Sequence, residues 1–198
     1  MSALAELYRE IAACRDCAEL ARARNKVVPG EGPENAQIVF IGEAPGFHED
    51  QQGLPFVGQA GQFLEQLLNS IGMKRSDVYI CNVIKCRPPE NRDPLPTEIK
   101  NCQKWLDRQL ELLSPKVIVT LGRYSLAKFF PGETISKIHG KARKQGNVIY
   151  FAMYHPAAAL HQQSLRQTIE EDMRKIPPLL TQIEVVKEEN KPQQLSMF

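Results

Sequence analysis

The sequence predicts an α/β fold, a mostly parallel sheet covered on both faces by helices. Two observations carry this. Four short apolar runs, at about 37–42, 77–84, 116–121 and 147–153, alternate along the chain with segments of helical periodicity, the pattern of a layered parallel sheet. Two of these runs also end in turn-forming residues. Gln37-Ile38-Val39-Phe40-Ile41 enters Gly42-Glu43-Ala44-Pro45-Gly46, and the last run enters His155-Pro156-Ala157-Ala158. Ligands of open α/β sheets sit at the carboxyl ends of strands, so a glutamate and a histidine are expected at one rim.

In chain order, residues 3–22 place Leu4, Leu7, Ile11 and Leu20 on a roughly helical repeat and predict an amphipathic helix. Residues 59–71 do the same through Phe63, Leu64, Leu67, Leu68 and Ile71, with Gly72 as the stop. Thr97-Glu98 opens a helix to about Leu113 that Pro115 ends, and a last helix spans 164–181, tolerating or breaking at Pro177-Pro178. The stretch 87–96, RPPENRDPLP, is too rich in proline for either regular element and forms a loop. Residues 1–182 make one domain, and 183–198 form a polar, flexible tail.

With 198 residues, 42 % hydrophobic and 24 % charged, the chain is long enough for a full core. No apolar stretch approaches the ~20 residues of a membrane-spanning helix. The N-terminus carries acids and no apolar signal region, so a cytoplasmic location is expected. The net charge of +2 does not announce a nucleic-acid binder. Its distribution says more, because Lys137, Lys141, Arg143 and Lys144 form one acid-free cluster and Lys85, Arg87 and Arg92 another group of cations. Such clusters can make a local basic face that grips phosphates.

Cys14 and Cys17 are spaced C-x2-C, and Cys86 and Cys102 have fifteen residues between them. In a cytosolic chain such thiols point to metal binding or redox chemistry rather than a disulfide. Zinc and an iron–sulfur cluster both suit four thiolates, and the absence of a second tight C-x2-C favours the cluster. Cys81, inside a predicted strand, reads as a small core residue.

Taken together, GEAPG, LPFVG, CNVIKCRPPENRDP, HPAAA and the four cysteines, in this order over about residues 10–175, resemble the family 4 uracil-DNA glycosylases, the iron–sulfur branch of the uracil glycosylase superfamily. The resemblance implies a three-layer α/β/α sandwich around a four-stranded sheet and a [4Fe-4S] cluster on Cys14, Cys17, Cys86 and Cys102. It also implies hydrolysis of the uracil–deoxyribose bond by a monomer acting on uracil-containing DNA, in the cytoplasm at the bacterial nucleoid. The uracil pocket falls on Glu43, Ala44, Pro45, Phe56, Asn82 and His155, while Asn91 and Glu49 match positions treated as functional in the family.

The residue chemistry suits that reading. Phe56 offers a flat face to an extruded base, and stacking is worth ~1–3 kcal/mol. The amide of Asn82 presents donor and acceptor side by side, matching uracil O4 and N3–H; cytosine presents the reverse and leaves buried groups unpaired. His155 can donate to uracil O2 as negative charge develops there. For water activation the order of preference is Glu43, Asn91, then Glu49. An aspartate that the superfamily's best-known branch carries after the motif's second residue is here Ala44. Leu160, ahead of His161 and Leu165, is the candidate wedge for the gap left by the flipped base. A non-catalytic or covalent uracil-DNA binder is the alternative; the branch that traps DNA does so through a loop histidine, and 87–96 has none. Gln194-Leu195-Ser196-Met197-Phe198 resembles the short peptide by which bacterial DNA enzymes dock on the sliding clamp.

Overall fold

The computed structural model describes residues 2–181; the clamp-like peptide and the rest of the expected tail lie outside them. The first helix, α1 (Ala3–Ala13), is capped by Ser2, whose hydroxyl accepts from Ala5 N–H at 3.2 Å, and it buries Leu4, Leu7 and Ile11. The single helix expected over 3–22 is broken. Cys14 and Cys17 are extended, and a short α2 (Ala18–Ala23) follows. The guanidinium of Arg24 holds the reversal by donating to the Cys14 carbonyl (2.8 Å) and the Cys86 sulfur (2.9 Å). A helical repeat continued in the sequence because Leu20 still points inward, but the thiols needed the break.

Strand β1 (Ile38–Gly42) is buried throughout because it is covered on both sides. Ile38 and Phe40 enter one core with Leu64, Phe151 and Met173. Val39 and Ile41 enter the other with Leu7, Ile11 and Leu106. This is the two-residue alternation of a strand read against two apolar layers. After β1 come α3 (Phe47–Gln52), α4 (Gln59–Ser70), β2 (Tyr79–Asn82) and a 3-10 turn at Pro89–Asn91 within the proline-rich loop. Helix α5 (Pro96–Leu113) starts with Pro96 at its first position, where a missing N–H is harmless. Then follow β3 (Val117–Leu121), α6 (Arg123–Phe129), α7 (Ile135–Ile138), β4 (Ala142–Gln145), β5 (Val148–Met153), α8 (Ala157–His161) and α9 (Leu165–Met173). The helix expected over 164–181 breaks at Arg174-Lys175, and a further helical stretch at 176–181 accommodates the two prolines near its start. Among the described residues no helix is long and apolar enough to cross a membrane.

The sheet has five strands in the order β2-β1-β3-β5-β4, one more than expected. The first four are parallel, and β4 is an antiparallel edge paired to β5. All four residues of β4 (Ala-Arg-Lys-Gln) are exposed, so no apolar alternation marks it; charged side chains on an edge strand also discourage pairing with other chains. Strand order reverses between β1 and β3, which makes their carboxyl ends the switch point where such sheets bind ligands. Register brings Gly42 beside Asn82 and Leu121 beside Met153, so the tips of β1, β2, β3 and β5 share one rim.

Candidate active site

Two connected hollows open at this rim. The inner one, about 430 Å³ of atom-free space counted out to the solvent edge, is lined by Phe56, Asn82, His155, Ala44 and Glu49, among others. The outer cleft, about 1530 Å³ on the same measure, is bordered by Glu43, Pro45, Asn91, Asp93, Arg123 and His161. Ala44, Gly46 and His155 line both. Asn82, Phe56, His155 and Ala44 thus come together inside, while Glu43, Pro45 and Asn91 stand at the mouth.

Asn82 ends β2 with only 2 % of its surface exposed, and its Oδ1 has no hydrogen-bond partner. A buried amide oxygen left unsatisfied carries a desolvation penalty of about 1–3 kcal/mol, which a ligand can relieve. Its backbone is fixed from behind. Lys85, 1 % exposed, donates its ammonium to the Asn82 carbonyl at 2.7 Å. Gly42 admits the pair, since a Cβ there would lie 2.4 Å from Asn82 Oδ1 and 2.6 Å from the Phe56 ring.

Phe56 is itself strained, with φ +51°, a region that bulky residues rarely enter. Arg75 holds it there by donating to the Phe56 carbonyl at 3.0 Å and to the Pro55 carbonyl, while Glu31 accepts from Nε of the same guanidinium at 2.8 Å. The Phe56 and His155 rings stack at 5.4 Å and 26°. That is direct ring contact, so an incoming base must meet the pair from beside it rather than enter between.

The His155 ring is neutral and its tautomer is set. Desolvation lowers its pKa to about 4 against a weak opposing pull from Glu49, and Ala157 N–H donates to Nδ1 at 3.1 Å. With Nδ1 an acceptor, the proton of the neutral ring lies on Nε2, which leaves one donor free. Gly122 (φ +87°) lets β3 pass close by, a Cβ there lying 3.1 Å from that of His155.

At the mouth, burial raises the Glu43 carboxyl to about 7, reinforced by Asp93 and eased by Arg123. Between the unfolded carboxylate value near 4.3 and about 7, the folded chain holds a proton that the unfolded chain has lost. Stability from this group therefore falls as pH rises through that window. Glu43→Gln is expected to raise the melting temperature by roughly 2–4 °C at mildly alkaline pH and to leave it unchanged near pH 5; equal effects at both, in paired thermal denaturation curves, would contradict the shift.

Glu49 lines the inner hollow and also ties two loops together. Its carboxylate accepts from the amides of Gly46 (3.1 Å), Val57 (2.8 Å) and Gly58 (2.9 Å), stapling the Gly42–Gly46 loop to the Phe56 loop. Asn91 sits at φ +55° with Oδ1 accepting from Arg87 Nε at 2.7 Å. Leu165 packs against the core, whereas Leu160 is 47 % exposed, so of the apolar candidates behind the histidine only Leu160 is available as a wedge. The expected basic face is thinner than the sequence suggested. Lys85 is buried, and Arg92 is taken by Glu98 at 2.7 Å.

A second centre lies behind β2. All five cysteines are free of disulfides, and Cys81 is a fully buried core residue. Cys14, Cys17, Cys86 and Cys102 line one chamber of about 310 Å³, on the same measure, between α1, α2 and α5. Among the described residues no group of three or more His, Cys, Asp or Glu could hold a metal ion. Four thiols lining one chamber suit a single zinc or an iron–sulfur cluster equally on ligand chemistry. The donors around them suit an anionic sulfur-rich group, since Arg24 reaches Cys86 Sγ at 2.9 Å and Lys85 N–H reaches Cys102 Sγ at 3.3 Å. Desolvation pushes the Cys102 thiol up to about 12 and raises Cys17 and Cys86 as well, so thiolates here require positive charge in the chamber.

The fold and the site define an α/β protein built on a doubly covered, mostly parallel sheet, with its pocket at the switch point. Residues 29–176 match the family model described as the uracil DNA glycosylase superfamily, and the chain belongs to that superfamily. Within it, the chain is 48 % identical to the type-4 uracil-DNA glycosylase of Archaeoglobus fulgidus, over 90 % of this chain and 94 % of the relative. It is 47 % identical to that of Sulfurisphaera tokodaii (90 % and 86 %) and 42 % identical to that of Thermotoga maritima (88 % and 92 %). These relatives place it in the type-4 branch.

The sequence missed Arg75 and Glu31 as parts of the site; it named Lys85 and Gly42 but not the buried anchoring of Lys85 on Asn82 or the close approach that Gly42 permits. Lys85 carried a signal, a lysine set directly after the apolar Val83-Ile84. The Arg75–Glu31 clamp carried none, because its members are 44 residues apart.

Proposed function

We propose that this chain is a DNA repair glycosylase that extrudes uracil from DNA and hydrolyses its N-glycosidic bond, leaving an abasic site. The observation that carries this is the buried, unpartnered Asn82 amide beside a neutral imidazole with one free N–H. Asn82 pairs with uracil O4 and N3–H, and Phe56 and Ala44 bound the ring. As the C1′–N1 bond breaks, its electron pair moves onto uracil, and His155 Nε2–H donates to O2 where charge accumulates. Water held at the mouth by Glu43 adds its oxygen to C1′ and yields its proton to the carboxylate. Asn91 is the second group able to orient that water. A carboxyl that ionises near 7 is matched to base duty at neutral pH.

Cys14, Cys17, Cys86 and Cys102 hold a [4Fe-4S] cluster in this reading. Bound there, it clips the N-terminal helices to the 87–96 loop and takes no part in bond cleavage. The Gln194–Phe198 peptide serves as a sliding-clamp anchor on an otherwise monomeric enzyme.

The test is release of uracil from oligonucleotides carrying a single uracil, followed by alkaline cleavage at abasic sites. Asn82→Ala is expected to lower kcat/KM by about 10- to 100-fold and to narrow the preference for uracil over cytosine. Retention of uracil DNA without base release would favour the non-catalytic or covalent binder instead.

A further inference from the structure

Phe47 opens α3 directly after the Gly42–Gly46 loop, and 51 % of its surface is left to solvent. Large aromatic side chains are usually more than half covered, and this one stands next to Gly46, which lines both hollows. It is not loose. The Arg87 guanidinium lies 5.1 Å from the ring centroid, and the His48 ring meets it edge-on at 5.5 Å. Arg87 is anchored in turn by Asn91 Oδ1 at 2.7 Å, and Asn91 borders the outer cleft. An exposed aromatic backed by a cation, set beside the outer cleft, has the chemistry of a base-stacking platform.

We propose that Phe47, backed by Arg87, is a stacking subsite for the base adjacent to the extruded uracil on the same strand. The inference rests on the uracil-extruding reading above. Pulling one base out of the stack leaves its neighbours each with a bare face. Leu160, exposed on α8 after β5, is placed to fill the gap itself, whereas Phe47 lies after β1 on the other side of β3 and takes up a neighbour. Stacking needs no complementary strand, so the subsite acts most strongly on single-stranded DNA. Arg87 holds the ring in place before DNA arrives, which lowers the ordering loss on binding.

A protein–DNA double-mutant cycle tests this with the full chain. Binding is measured to a single strand bearing a 2′-fluorinated deoxyuridine that resists cleavage, either intact or with an abasic spacer replacing one neighbour. Wild type is expected to lose about tenfold in Kd when the spacer replaces the stacked neighbour. Phe47→Ala is expected to lose about tenfold on the intact strand and nothing further on the spacer strand. Phe47→Trp should bind at least as tightly as wild type, and neither variant should shift the melting temperature or inhibition by free uracil. Equal binding by wild type and Phe47→Ala, or losses that simply add, overturns the subsite. Because the cycle needs no cleavage, failure of uracil release from ordinary substrate would strike the glycosylase reading alone.

Discussion

Replacing His155 by alanine is expected to slow single-turnover uracil release by about 10²–10³, equivalent to roughly 2.7–4 kcal/mol of transition-state stabilisation. The loss should fall on the chemical step with little change in KM, because the hydrogen bond to O2 strengthens only as the base departs. His155→Gln should recover part of the rate, since an amide N–H can reach the same oxygen. The pH profile separates the two titrating groups at the rim. Desolvation holds His155 neutral down to about pH 4, so it leaves no mark on activity above that. The rate is expected to rise with pH approaching 7 as Glu43 ionises in its proposed role as base, and Glu43→Gln should flatten that rise. A drop below tenfold in His155→Ala would remove the donor role.

Cys102→Ser is expected to have the second large effect, on stability first and activity through it. Cys102 lies on α5 and shares its chamber with Cys14, Cys17 and Cys86, which sit on the N-terminal segment and beside the proline-rich loop. If Cys102 is a ligand, its loss removes a tie among three segments that otherwise meet through the apolar core of Leu7, Ile11 and Leu106 and through the exposed ion pairs Lys104–Asp16 and Arg108–Glu10, which are of small worth. Purified Cys102→Ser should lack stoichiometric iron and acid-labile sulfide and lose the brown absorbance. It should melt lower by roughly 10 °C or more. Iron and sulfide at wild-type levels in the variant would take Cys102 out of the ligand set, and one equivalent of zinc in the wild type would replace the cluster reading.

The sheet and much of the pocket were legible because local signals and tertiary demands agreed. Ile38–Ile41 reads as a buried strand since both faces are covered, and the Gly-Glu-Ala-Pro-Gly and His-Pro junctions mark strand ends because only turns accept them. Edge strand β4 was invisible for the opposite reason. Backbone pairing to β5 makes it a strand, and Ala-Arg-Lys-Gln buries nothing. The break at Cys14–Cys17 was hidden because Leu20 keeps a helical spacing across it. Positioning groups were the least legible part. Glu49 read as a catalytic candidate, and a one-dimensional pattern gave no sign that its oxygens also accept from three backbone amides and fasten two loops.

Lys85 touches both centres, giving its amide to the Cys102 sulfur and its ammonium to the Asn82 carbonyl. Four residues of backbone, 82–85, therefore connect the thiol chamber to the amide proposed to read the base. An oxidant that dismantles the first would misalign the second without ever entering the cleft. Loss of a cluster held there is then expected to weaken base discrimination together with stability.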